Sequence, residues 1–154
     1  MAFRGQHEHN IDAKDRITVP AAYRAALAGG VVVMESVEKC VEVWPVAAAE
    51  AMEAAWVNPL SPMGADGRRI RRRVFGTSEQ TELDSAGRIR LPKHLIRHAG
   101  LSGGSLVVGV GDHLELWNNP AWEQESEDFE AQAAELTERL AAQGPAGPAG
   151  EAGS

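Results

Sequence analysis

The nonapeptide "DAKDRITVP" at residues 12–20 returns 72 positions later as "DSAGRIRLP" at residues 84–92. Asp12 and Asp84, Arg16 and Arg88, and Pro20 and Pro92 share that offset. Further along, "VEVW" at 41–44 matches "LELW" at 114–117 at an offset of 73. Each is preceded by a glycine pair and an apolar run: Gly29-Gly30 before "VVVM", Gly103-Gly104 before "SLVVGV". The chain is a tandem duplication. One unit of about 42 residues is too small to bury a core alone. The two copies therefore have to complete each other, paired about a pseudo-twofold axis.

Each half reads as β-β-α-β-β, an α+β arrangement. A short strand leads into the Asp-x-x-x-Arg turn, and a second strand alternates Ile and Val or Leu with polar residues. Pro20 and Pro92 suit the first turn of a helix, where a missing N–H costs nothing. "AAYRAALA" and "KHLIRHAG" place Tyr23 with Leu27, and Leu95 with Ala99, on one helical face. The glycine pair is expected to end each helix. "VVVM" predicts a strand covered on both faces, and "VEVW" and "LELW" predict strands with Glu42 and Glu115 pointing out. The expected organisation is a first repeat over 3–45, a helical connector over 46–76, a second repeat over 77–118, a terminal helix over 119–143 and a disordered tail over 144–154. On the terminal helix Trp122, Phe129, Ala133, Leu136 and Leu140 form an apolar stripe expected to cover a seam of the fold.

The repeated turn has a local logic. An Asp side chain accepts hydrogen bonds from backbone N–H groups about two residues on. Gly87 takes φ > 0 without steric cost, and Asp15, at the same place in the first copy, is among the few other residues that tolerate it. Arg then begins a strand on a rigid support, and Arg is shaped to grip a phosphate or a guanine edge bidentately. The residues leave two roles open. Arg16 and Arg88 can lock the turns by pairing with Asp12 and Asp84, or they can bind DNA together with Lys14, Arg90 and Arg4.

The net charge of −7 does not decide between these roles. Residues 123–154 carry all of it, with Arg139 the single base among their acids, and residues 1–122 are neutral. A neutral body can still present a basic face. "RRIRRR" at 68–73 is either a further DNA contact or a solvated helix face that meets the acidic terminal helix or another subunit. His7 and His9 fall on one face of a strand, and His94 and His98 are four apart on a helix, a spacing that could hold zinc. Neither pair has Cys or carboxylate partners at metal-site spacing, so packing or surface roles are expected, with no metal and no other cofactor. Cys40 follows Lys39, which would lower its pKa, but a buried structural thiol is the expected state. No nucleotide loop, nucleophile elbow or paired carboxylate set appears, so an enzyme and a small-molecule substrate are not expected. One cysteine, a polar N-terminus and no apolar run of spanning length point to a cytoplasmic protein without a membrane partner.

The chain resembles the MraZ family of transcriptional regulators over roughly residues 3–142. The resemblance rests on "FRG" (Phe3 to Gly5), the duplicated Asp-x-x-x-Arg loops, the strand endings "VEVW" and "LELW", and the "NPAW" that opens the last helix. It implies two AbrB-like (SpoVT-AbrB) units joined as a swapped-hairpin barrel with flanking helices. It also implies ring-shaped homo-oligomers, nucleoid association, and binding to double-stranded DNA with direct repeats upstream of the division and cell-wall operon, most often as a repressor. Arg16 and Arg88 match the family's DNA-contacting loop arginines. Asp15 departs from the Gly usual in the first loop and adds a negative charge beside Arg16. The alternative is an oligomeric barrel-type protein-interaction domain that does not bind DNA.

Overall fold

A computed structural model describes residues 2–145. The first half contains β1 (Gln6–Glu8), β2 (Arg16–Thr18), α1 (Ala21–Arg24), β3 (Val31–Glu35) and β4 (Val41–Pro45). The connector holds α2 (Val46–Met52), which continues into a π-turn over Glu53–Val57, and α3 (Ala65–Thr77). The second half repeats the pattern with β5 (Glu79–Thr81), β6 (Arg88–Arg90), α4 (Lys93–Ala99), β7 (Ser105–Gly109) and β8 (Leu114–Asn118). Helix α5 (Asn119–Gln143) follows. The fold is α+β with the β-β-α-β-β unit twice, as the sequence predicts.

Six strands form one antiparallel sheet in the order β1-β7-β8-β4-β3-β5, and β2 pairs with β6 in a separate ribbon. The halves exchange their first strands. β1 of the first half pairs with β7 of the second, and β5 of the second pairs with β3 of the first. The pseudo-twofold axis is written in the registers: Ile17 faces Ile89 in the ribbon, and Glu42 faces Glu115 at the centre of the sheet.

The main core lies between the ribbon and one face of the sheet. Ile17 and Ile89 meet Val31, Val33, Val41, Val43, Leu114 and Leu116 there, with Tyr23 and Leu27 from the first half's helical segment and Leu95 and Ala99 from α4. Burying one such aliphatic side chain contributes about 1.5–3 kcal/mol. The opposite face of β3 presents Val32 and Met34 to Trp44, Ala49 of α2 and Val74 of α3. "VVVM" is thus covered on both sides, which its unbroken apolar run requires.

Several local expectations need correction. Pro20 and Pro92 are N-caps with ψ of 139° and 147°, one residue ahead of their helices. The first helix is one α-turn followed by a 3-10 turn over Ala25–Leu27. In the second half Gly100, at φ 62°, ends α4 in the left-handed conformation, so Gly103-Gly104 are not its cap. Glu42 and Glu115 point away from the core but not into open water, because each accepts a hydrogen bond from an indole, Trp44 Nε1 at 2.9 Å and Trp117 Nε1 at 3.0 Å. Only the start of α5 meets the sheet, where Trp122 packs edge-on against Trp117. Phe129 and Leu140 are 57% and 64% exposed, so among the described residues this part of the α5 stripe covers no seam. Of the tail expected to be disordered, residues 146–154 lie outside the described residues.

Candidate nucleic-acid interface

Each repeated turn is built around one carboxylate. Asp12 Oδ1 accepts the backbone N–H groups of Lys14 and Arg16, both at 2.9 Å. Asp84 Oδ1 accepts those of Ala86 and Arg88, at 2.9 and 3.0 Å. The second oxygen of each Asp takes the Nε–H of its arginine at 2.8 Å, from Arg16 in one turn and Arg88 in the other. Donation of the backbone N–H of Arg16 or Arg88, reinforced by its guanidinium, holds both carboxyls below the usual Asp range. Asp15 at φ 62° and Gly87 at φ 75° share the left-handed conformation that reverses the chain.

The turns lock the halves together. Val19 N–H donates to Gly87 O, and Leu91 N–H donates to Asp15 O, both at 2.8 Å, so each turn is bonded to the strand end of the other half. Side chains from the opposite half also reach each turn. Lys93 Nζ meets Asp15 Oδ2 at 3.0 Å. Arg24 lies over Gly87, where an added Cβ would stand 2.3 Å from its Nε.

The ribbon presents Arg16, Thr18, Arg88 and Arg90 on the face opposite the buried Ile17 and Ile89. Arg16 lies directly opposite Arg90, and Thr18 opposite Arg88. Arg16 and Arg88 are diagonal neighbours, roughly 7–8 Å apart at that spacing. Arg16 and Arg90 thus place two like charges in direct register, and such pairs repel. Among the described residues, no hydrogen bond engages the Nη groups of Arg16 or Arg88. Their Nε atoms are fixed and their fork ends are open. Pairing with Asp and readiness for a ligand are therefore compatible in one geometry.

Of the remaining candidates, Lys14 sits at the tip of the first turn, exposed. Arg4 is placed by other contacts: its carbonyl accepts the Tyr23 hydroxyl, and its backbone runs against Gly109 of β7. The arginine run is separated from the ribbon by the sheet, because α3 packs on the face opposite the main core. Arg68 bonds the carbonyls of Pro62 and Met63, Arg71 that of Val57, and Arg73 that of Ser36. His94 Nε2 meets Thr77 O and His98 Nε2 meets Glu38 O, so each imidazole ties α4 to a neighbouring backbone. Burial, reinforced by the charge of Glu115, pushes the Cys40 thiol up, and it stays protonated despite Lys39. A cluster that spacing along the sequence did not reveal, Glu42, His113 and Glu115, converges on the outer face of the sheet. Alternation in "HLELW" puts His113 and Glu115 on one strand face. The β4–β8 register that adds Glu42 cannot be read from the sequence.

A family model described as MraZ protein matches residues 2–72 and again 74–143. The chain belongs to the MraZ family. The two matched segments are the two exchanged halves, each carrying one Asp-x-x-x-Arg turn. Among MraZ relatives, a transcriptional regulator MraZ of Thermomicrobium roseum is 34% identical over 139 residues, spanning 90% of this chain and 97% of the relative. One from Thermobifida fusca is 36% identical over 139 residues, 90% and 96% of the two chains. One from Herpetosiphon aurantiacus is 31% identical over 142 residues, 92% and 99%.

Proposed function

We propose that the chain is a sequence-specific DNA-binding transcriptional regulator. In this reading Arg16 and Arg88 grip DNA, with Lys14 and Arg90 beside them and Arg4 at the edge. The observation that carries it is the ribbon: two arginines, oriented by Asp12 and Asp84, with open guanidinium forks on one two-stranded face. A two-stranded ribbon fits the major groove, which is about 12 Å wide. Arg16, Arg88, Arg90, Lys14 and Lys93 outnumber Asp12, Asp15 and Asp84 there, so the face suits a polyanion although the whole chain is acidic. Relatives named as transcriptional regulators support the same reading.

The finer form is a ring-shaped homo-oligomer that reads direct repeats and represses the division and cell-wall operon at the nucleoid. Its support in this chain is a complementary pair of faces. Helix α3 carries the arginine run with half-exposed Ile70 and Phe75. Helix α5 is acidic and carries the uncovered Phe129 and Leu140. Different faces that meet head to tail generate rings when the rotation closes.

The test is a mobility shift with the DNA upstream of the protein's own gene, repeated over a range of salt. Arg16→Ala and Arg88→Ala should each weaken binding and make the slope of log K against log salt shallower by about one unit. Wild-type affinity in both variants would remove the ribbon from the mechanism.

A further inference from the structure

The outer face of the sheet carries a second constellation, centred on the pseudo-twofold axis and on the side away from the ribbon. Glu42 of β4 lies directly opposite Glu115 of β8. Two carboxylates in direct register repel, and the outer face of the sheet has to compensate for that repulsion. His113 supplies the third member. One ligand atom from each of Glu42, His113 and Glu115 lies within 4.8 Å of the others.

Each of the three is oriented from behind. Glu42 Oε1 and Glu115 Oε1 are occupied by the indole N–H groups of Trp44 and Trp117. His113 Nδ1 faces Asp112 Oδ1 at 2.7 Å, and its ring stacks on Trp44 with centroids 4.0 Å apart. An imidazole that donates from Nδ1 to a carboxylate turns its Nε2 lone pair outward, the arrangement found behind metal-bound histidines. Nε2 stands 3.7 Å from Glu115 Oε2. That is too long for a hydrogen bond. Two ligands on one tetrahedral zinc ion, each at about 2.0–2.2 Å, are roughly 3.4 Å apart. A metal ion fits the gap with small side-chain adjustments.

We propose that Glu42, His113 and Glu115 form a binding site for a divalent metal ion of the zinc class, contributed by both halves of the chain. Glu42 comes from the first repeat, and His113 and Glu115 from the second, so the ion staples the halves across the sheet. The site is single. The position in the first repeat that corresponds to His113 is Cys40, at the offset of 73. Cys40 is buried against Trp117 and Val108.

The test uses the full chain, stripped with chelator and titrated with Zn2+ by calorimetry and with Co2+ by visible absorption. One equivalent should bind per chain, Co2+ should give a d–d band, and the melting temperature should rise with Zn2+ concentration. His113→Gln and Glu115→Gln should each lower affinity at least tenfold. Gln at 115 still accepts the Trp117 indole, which keeps that variant folded. A His94→Gln, His98→Gln variant should bind as wild type. Absence of binding at micromolar metal would overturn the proposal, as would binding that survives at His113→Gln and Glu115→Gln or is lost with His94 and His98.

Discussion

At Asp15 and Gly87 one backbone conformation is met by two chemistries. Both residues have positive φ, but Gly87 also makes room for Arg24, while Asp15 bonds Lys93. Gly87→Val should therefore destabilise by about 1–3 kcal/mol, the cost of a strained left-handed site, with displacement of Arg24 added. Asp15→Gly removes an ion pair whose lysine is 75% exposed, worth about 0–1 kcal/mol, and relieves backbone strain. Thermal melts should show the first variant well below wild type and the second close to it; equal losses in both would refute the account. Asp12 and Asp84 contribute to the acid limb. Their folded pKa values lie below the unfolded value of about 3.9. Between those values the unfolded state holds more protons, so stability rises with pH in that window. The contribution is present above about pH 4 and is lost as pH falls through the depressed values. Melting temperature followed from about pH 2 to pH 6 should fall less steeply toward acid in an Asp12→Asn, Asp84→Asn variant than in wild type. Parallel acid limbs would mean that the turns do not couple to protons.

Elements were legible in the sequence wherever one residue type had a single structural meaning. The alternating strands, the duplicated turns and the connector helices all follow from period and from turn chemistry. The swap of β1 and β5 did not, since three-residue strands carry no information about which neighbour they choose. The stripe on α5 shows the limit of helical periodicity: it marked an apolar face correctly and said nothing about what meets it. The end of α4 is ambiguous in the sequence because three glycines fall within five residues, and only the backbone shows that Gly100 takes the cap. Asn118 joins two such ends. Its side-chain oxygen accepts Ala121 N–H at 2.7 Å, capping α5, and its Nδ2 donates to Ala99 O at 2.8 Å, closing α4. Asn118→Ala should cost about 1–3 kcal/mol, the loss of an N-cap plus a second hydrogen bond. A loss under half a kcal/mol in denaturant unfolding would show that solvent replaces both contacts.

At the scale of the whole molecule, one ribbon offers few contacts, and a single small module seldom reaches high specificity at physiological salt. In the proposed ring, neighbouring subunits repeat the ribbon by rotation, so direct repeats suit it better than a palindrome. Affinity should rise far more than additively from one DNA repeat to three or four, because later contacts become intramolecular. Inserting about five base pairs between repeats turns the next one to the opposite face of the duplex and should remove most of that gain. Mobility shifts insensitive to repeat number and spacing would rule out the multivalent ring and leave the single ribbon untouched. The duplication within one chain also has a consequence for how the molecule can change. In a dimer of half-length chains, each substitution would appear on both sides of the axis. Here Thr18 stands opposite in role to Arg90, Asp15 to Gly87, and Cys40 to His113. Covalent linkage lets one side of a symmetric scaffold acquire a charge, a turn residue or an imidazole while the other side keeps its own.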